Sequence, residues 1–206
     1  QAISHANLVV NRAARDTEAL RGMGTTVVLA VAEGNTVTIA HAGDSRAYLI
    51  HGEELSQLTH DHTVVQMLME RGEITEEEAL SHPQRHYITR AVGVDCEIRV
   101  EFSQAELGEG DAVLLCSDGL CHYTTWKELH GLLMETDSRE QLQQRLQTAV
   151  GFCRSCGETD NITALALKWN DLSSLPSGTD DWIEVWARLS GEAAPIEYDQ
   201  KLGRIL

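Results

Sequence analysis

Apolar residues recur at helical spacing over residues 2–20, at Ile3, Ala6, Val10, Ala13 and Ala14, with Thr17 on the same stripe. Arg12, Arg15 and Glu18 lie between them, so the pattern predicts an amphipathic helix that Arg21-Gly22 ends. The period then changes. Thr25 to Ala32 carries no charge and predicts a buried strand, Glu33-Gly34-Asn35 a hairpin turn, Thr36 to His41 the returning strand, and Ala47 to Ile50 a third. Successive hairpins imply an antiparallel meander. From 61 to 95 the pattern is helical again. Asp61 is placed as the cap of a helix carrying Val64, Val65, Leu68 and Met69, and Thr75-Glu-Glu-Glu78 opens a second, short helix as a capping box. Glu97 to Phe102 alternates and predicts a half-exposed strand. Two amphipathic helices are expected over 125–134 and 138–152, the second with Leu142, Leu146, Ala149 and Val150 on its buried stripe, and a last strand over 161–169.

The sharpest feature is Asp111-Ala-Val-Leu-Leu-Cys-Ser-Asp118-Gly119. Ala112 to Cys116 is too short for a helix and predicts a strand buried on both faces. It runs into Asp118 and Gly119, so a carboxylate sits where a rigid strand meets a turn, and the glycine lets backbone or ligand come close. Such places suit hard cations, which prefer oxygen ligands; an Asp that merely caps the next turn is the alternative for this tripeptide taken alone. Asp44, in Ala40-His-Ala-Gly-Asp44-Ser-Arg, and Asp160, in Thr159-Asp160-Asn161, repeat the arrangement beside other apolar strands. Three acids so far apart in sequence meet only if their strands lie side by side.

Composition narrows the partners. The 206 residues suffice for one domain with an appendage, expected as a domain over 1–169 and a linker and tail over 170–206. Acidic residues number 32 against 16 basic, a formal charge of −16, which argues against nucleic acid and anionic lipid as partners. No apolar run reaches a membrane span and no signal-like segment opens the chain, so a cytoplasmic setting is expected. Five cysteines, an odd number, fit reduced thiols. Cys153-Arg-Ser-Cys156 has metal or redox spacing, but Cys116 and Cys121 make no second close pair for zinc, and two surface or half-buried thiols near a helix end are expected instead. In the tail, Trp182, Val185, Trp186 and Leu189 fall on one face of a short helix over 181–190, which either packs back on the domain or docks a protein partner.

Taken in order, the three Asp motifs resemble those of the metal-dependent Ser/Thr protein phosphatases of the PPM family (type 2C) in their bacterial form. Met23-Gly-Thr-Thr26, Leu58-Thr-His-Asp-His62, Arg71-Gly-Glu-Ile-Thr75, His82-Pro-Gln-Arg85 and Ile88-Thr-Arg-Ala91 continue the likeness over about residues 1 to 168. The resemblance implies an α+β fold, a four-layer α-β-β-α sandwich of two antiparallel sheets between helices, with residues 61–95 as a flap beside the active site. It implies hydrolysis of phosphoserine and phosphothreonine in proteins by a metal-activated water, with two or three Mn²⁺ or Mg²⁺ ions, in opposition to Ser/Thr kinases. Asp118 and Asp160 would hold one ion of a pair, and Asp44 with Asp118 a third. Ser117 and Asn161 would orient these acids, Ser45 and Arg46 would be structural, His86 exposed, and His41, His60 and His62 local turn or surface groups.

The likeness has a gap. The family's Asp-Gly-x-Gly-Gly, whose Asp bridges the two catalytic ions, and its phosphate-gripping Arg precede the region that Gln1 opens, and Gly22-Met23-Gly24 does not replace them. The directly catalytic residues are therefore unknown from this sequence. The expectation is a trimmed N-terminus on an ordinary phosphatase; the alternative is a binding module that keeps the fold without turnover.

Overall fold

The computed structural model describes residues 1–136, 138–169, 198–199 and 204–205. The fold is α+β, with two antiparallel sheets and a set of helices. The chain divides into two compact units, Gln1–Tyr48 with Gln57–Glu106, and Leu49–Ser56 with Leu107–Leu206.

The first unit opens with α1 (Ala2–Asp16), followed by a short 3₁₀ turn. Its most buried residues are Asn7, Asn11 and Ala14, not the apolar stripe alone, while Leu8 and Val9 face outward. The reason lies in the loop at 93–96. Asn7 donates to Asp95 O at 3.0 Å and accepts from Gly93 N at 2.7 Å, and Asn11 donates to Gly93 O at 3.0 Å. Gly93 is buried, so its backbone groups must be paired, and two amides on a helix do this.

Strands β1 (Val27–Glu33), β2 (Thr36–Ala42) and β5 (Glu101–Glu106) form a sheet in the order β1-β2-β5. The β1–β2 hairpin closes at Glu33↔Thr36 through Gly34 at φ 53. That left-handed conformation is what a two-residue hairpin loop requires. The strand expected to be buried at 25–32 is an edge strand that alternates, with Leu29 and Val31 exposed, because only one face of an edge strand in this sheet is covered. The strand expected at 97–102 lies instead at Glu101–Glu106, its position set by pairing with β2 from His41↔Glu101 to Thr36↔Glu106.

Helix α2 (Val64–Glu70) is capped by Thr63, whose side chain accepts from Gln66 N, so Asp61 is not its cap. Helix α3 (Glu76–Ser81) has the expected capping box of Thr75 and Glu78.

Strand β3 (Arg46–His51) crosses the division between the units and turns into β4 (Glu54–Gln57), which the sequence pattern did not mark. The second unit builds its sheet in the order β4-β3-β6-β7, where β6 is Ala112–Cys116 and β7 Ala164–Lys168. Every residue of β6 is buried, as expected of a central strand. It pairs antiparallel with β7 from Ala112↔Lys168 to Cys116↔Ala164. Helices α4 (Asp118–Cys121), α5 (Trp126–Met134) and α6 (Arg139–Ser155) complete this unit. Thr125 and Glu128 make a second capping box, and Lys168 Nζ donates to Thr136 O at 2.6 Å, which satisfies a carbonyl beyond the end of α5. A two-residue ladder joins β8 (Tyr198–Asp199) to β9 (Arg204–Ile205). Apart from these two short strands, the linker and tail expected over 170–206, with the helix expected at 181–190, lie outside the described residues.

Candidate metal centre

In the second unit, β6 and β7 run antiparallel side by side, so the end of one lies beside the start of the other. Asp118 follows the first and Asp160 precedes the second, and the pairing brings their loops together. Ser117 makes the join. Its N–H donates to Thr163 O at 3.0 Å, its hydroxyl donates to Asn161 O at 3.0 Å, and the same oxygen accepts from Thr163 N at 3.0 Å. One serine thus pairs three backbone groups and fixes the loop that carries Asp160. Gly119 permits the approach: a Cβ there would stand 3.2 Å from both Asn161 O and the Ile162 side chain.

The acids differ in setting. Asp118 is half-buried and opens α4, while Asp160 is exposed and accepts from Asn161 N at 2.7 Å. Two further groups, missed in the sequence, link them. Glu158 Oε1 accepts from the Thr159 and Asp160 N–H groups, both at 2.9 Å, and His122 Nδ1 donates to its Oε2 at 2.8 Å. His122 Nε2 then lies 3.6 Å from Asp118 Oδ2. The Asp160 N–H, the His122 ring and the Thr159 N–H hold the Glu158 carboxyl below its ordinary range, in that order and against a small opposing effect of burial that ranks behind the first two. Glu158 therefore remains a carboxylate between the two candidate ligands. No local pattern marks this pair, since 36 residues separate His122 from Glu158; the signal available was a histidine four residues after Asp118 and an acid two residues before Asp160.

The donor set fits a hard divalent ion. Asp118, half-buried, and Asp160, exposed, offer carboxylate oxygens, the ligand type such ions prefer.

Asp44 belongs to the first unit, at the corner between β2 and β3, where it is half-buried. Its neighbour Gly43 is held on both sides by His62: Gly43 N donates to His62 Nδ1 at 3.0 Å, and His62 N donates to Gly43 O at 3.0 Å. Ser45 Oγ shares a 2.8 Å hydrogen bond with Thr26 Oγ1. Arg46 pairs a carboxylate, as expected. Its Nε lies 3.0 Å from both Asp61 oxygens and its Nη2 2.6 Å from Oδ2, a bidentate pair, and its Nη1 donates to Tyr48 OH at 3.2 Å. This is where Asp61 goes in place of capping α2.

The histidines around this corner are more ordered than their spacing suggested. His41 and His62 are buried and stacked, ring centroids 4.7 Å apart, and with Glu101 they bring ligand atoms within 4.8 Å of one another. Because Gly43 N–H occupies the lone pair of His62 Nδ1, the neutral ring carries its proton on Nε2 and donates it to Glu101 at 3.1 Å. Arg90 Nη1 approaches the same Nε2 to 2.7 Å, where a second donor finds no lone pair, and is attracted to the Glu101 carboxylate at 3.9 Å. His60, exposed, reaches Glu101 at 3.1 Å. Burial alone would raise the Glu101 carboxyl, but the bonds from His62 and His60 outweigh it and hold it low. His86 is exposed.

Burial pushes His62 below its ordinary value, against the raising effect of its bond to Glu101 and with Arg90 and His41 assisting. A histidine kept neutral in the fold contributes stability that is present above its unfolded value, roughly 6.5, and is lost as pH falls through the folded value. His51 has the opposite sign: its bond to Asp111 raises it, so its contribution is present below that value and lost as pH rises. The His62 share is isolated by comparison. The Tm of the native chain is expected to fall between pH 7 and pH 5 by more than that of His62→Asn, measured by thermal melts; parallel curves would sink the assignment.

The chain matches the family model described as Protein phosphatase 2C over residues 1–151. It is 40% identical over 154 residues to the protein phosphatase PhpP of Streptococcus pneumoniae, covering 75% of this chain and 61% of that one. The fold matches the crystal structure of the Ser/Thr phosphatase Stp1 from Staphylococcus aureus with a TM-score of 0.71 and 36% identity, over 81% of this chain and 64% of that one. It also matches the catalytic domain of the Ser/Thr protein phosphatase PstP in complex with two manganese ions, with a TM-score of 0.66 and 33% identity over 80% and 67%. The chain thus spans about 61% of the length of PhpP. On the matched model and the two superposable phosphatase structures, the chain belongs to the protein phosphatase 2C family.

Proposed function

We propose that the chain acts in the metal-dependent hydrolysis of phosphoserine and phosphothreonine in proteins, opposing Ser/Thr kinases. What supports this most is the juxtaposition of Asp118 and Asp160 at the adjoining ends of β6 and β7, in a family whose PstP member was crystallised with two manganese ions. Asp118 and Asp160 would hold a Mn²⁺ or Mg²⁺ ion, and Asp44 a further one. When bound, such ions supply an activated water and neutralise the phosphoryl oxygens. The chain's own residues hold the geometry: Ser117 fixes the Asp160 loop, Glu158 and His122 tie that loop to Asp118, and His62 fixes the Asp44 corner. The partners are phosphorylated proteins, and the odd cysteine count fits a cytoplasmic setting. The domain extends over 1–169, with residues 61–95 as its flap.

The test is hydrolysis of an aryl phosphate and of a phosphothreonine peptide while Mn²⁺ is titrated in and then removed by chelation. Turnover that rises with the metal and stops on chelation is expected. Turnover indifferent to chelation would overturn the metal assignment; a folded chain that binds Mn²⁺ and the phosphopeptide without turnover would leave a trimmed enzyme or a binding module, which restoring the family's upstream segment separates.

A further inference from the structure

Four of the five cysteines lie in the second unit on three elements around the Asp118 loop. Cys116 ends β6, Cys121 ends α4, Cys153 lies near the end of α6, and Cys156 caps it. The spacing that looks like a redox motif is Cys153-x-x-Cys156, yet the fold disfavours it. Residues three apart on a helix have Cβ atoms about 5–6 Å apart, whereas a disulfide needs about 3.5–4.5 Å, so bridging them would unwind the helix end. Redox-active pairs also gain from a helix N-terminus, and these sit at a C-terminus. Cys153 is fully buried with its S–H toward Leu120 O at 3.6 Å. Burial raises its thiol, which keeps it protonated and a poor nucleophile.

The pair without a motif is the one in contact. Cys116 Sγ and Cys121 Sγ are 3.6 Å apart, across a turn that holds Ser117, Asp118, Gly119 and Leu120. Closing that gap to a disulfide at about 2.05 Å asks for a shift of about 1.5 Å between a strand end and the end of a four-residue helix. Cys121 is half-buried and reachable by a small oxidant, while Cys116 is buried beside it. We propose that Cys116 and Cys121 are an oxidisable dithiol that closes into a disulfide around Asp118 when the chain meets a hydroperoxide. The Cys121 sulfur attacks a peroxide oxygen; the O–O bond breaks, water leaves, and a sulfenic acid forms. The Cys116 sulfur then attacks the sulfenic sulfur; the S–O bond breaks, a second water leaves, and the S–S bond forms. Two thiols give up two electrons and hydrogen peroxide becomes two waters. Transient pairing of this kind suits an otherwise reducing compartment.

The consequence for Asp118 rests on its proposed role as a metal ligand. The disulfide ties the loop on both sides of that residue and shifts it relative to Asp160. Both readouts are therefore independent of phosphatase turnover. The reduced chain is treated with hydrogen peroxide, quenched by alkylation and digested with trypsin without reduction. Residues 100–127 form one tryptic peptide holding Cys116 and Cys121, while cleavage after Arg154 separates Cys153 from Cys156. The expected product is peptide 100–127 lighter by two hydrogens, unalkylated, and restored by dithiothreitol. Cys121→Ser should abolish it. Peptides joined through Cys153 and Cys156, or oxygen added to Cys121 with Cys116 still alkylated, would overturn the assignment. Calorimetry of Mn²⁺ binding should show affinity about tenfold weaker in the oxidised chain, recovered on reduction; an unchanged affinity in a chain shown to carry the bond would overturn its reach to Asp118.

Discussion

Asp118→Asn is expected to reduce metal-dependent phosphate-ester hydrolysis by about a thousandfold or more while leaving the Tm within a few degrees of the native chain. The two parts of that expectation have different causes. The amide keeps the shape of the carboxylate, and Asp118 is half-buried at the start of a four-residue helix, so little packing is lost. The charge at that helix start is worth only about 0.3–1 kcal/mol, and its ion pair with His122 is loose, at 3.6 Å. What would be lost is the anionic oxygen proposed to hold the ion. An ion that stabilises the transition state by several kcal/mol stops doing so when its ligand is neutral, and each 1.36 kcal/mol is a factor of ten in rate. Asp160→Asn should act in the same direction. Glu158→Gln should be milder, about ten- to a hundredfold, because it disturbs the group that orients the ligands. The check is aryl phosphate turnover across a Mn²⁺ titration, with melts on the same samples. Asp118→Asn keeping more than a tenth of native turnover at saturating metal would remove it from the site.

The parts of the fold that were legible in the sequence are those whose physics is local. β6 stood out because five apolar residues end abruptly in Ser-Asp-Gly, and it is buried throughout. The capping box at Thr75 and Glu78 and the turn at Gly34 appear where their residues require them. Ser117 was expected to orient the acids by hydrogen bonding; its bonds go to the Asn161 and Thr163 backbone of the neighbouring loop. The misses depend on partners distant in sequence. Asn7 and Asn11 disrupt an apolar stripe on paper, yet in the fold they are the buried face of α1 because a loop 82 or more residues away needs donors and acceptors. Asp61 looked like a helix cap, but the Arg46 guanidinium offers it a bidentate partner and Thr63 takes the capping position. Glu158 and His122 carried no motif at all. The Cys116 and Cys121 sulfurs meet only because a strand end and a short helix fold back on each other. Local pattern placed the acids; the groups that hold them are a matter of tertiary structure.

Gly43→Ala is expected to destabilise the chain by about 3–4 kcal/mol, a Tm loss of roughly 10 °C for a chain of this size. Two costs add. Gly43 sits at φ 116, in a region that residues with a Cβ enter only under strain of about 1–3 kcal/mol. A Cβ built there would also stand 2.6 Å from Thr26 Cβ and 3.1 Å from its Cα, which are backbone-anchored atoms and not the free end of a side chain. Overpacking of that kind costs a further 1–3 kcal/mol. Relief by moving the corner is opposed by the reciprocal hydrogen bonds to His62 and by the Ser45–Thr26 bond. Whatever displacement does occur falls on Asp44, the next residue, so any metal held there should bind more weakly as well. Gly34→Ala is the matched control. Gly34 also has a positive φ, at 53, but nothing lies within 4 Å of its missing Cβ, so only the backbone cost remains, about 1 kcal/mol. Thermal melts of the two variants side by side separate strain from collision. If Gly43→Ala melts no lower than Gly34→Ala, the corner that carries Asp44 yields to a methyl group, and the tight seat inferred for that residue falls with it.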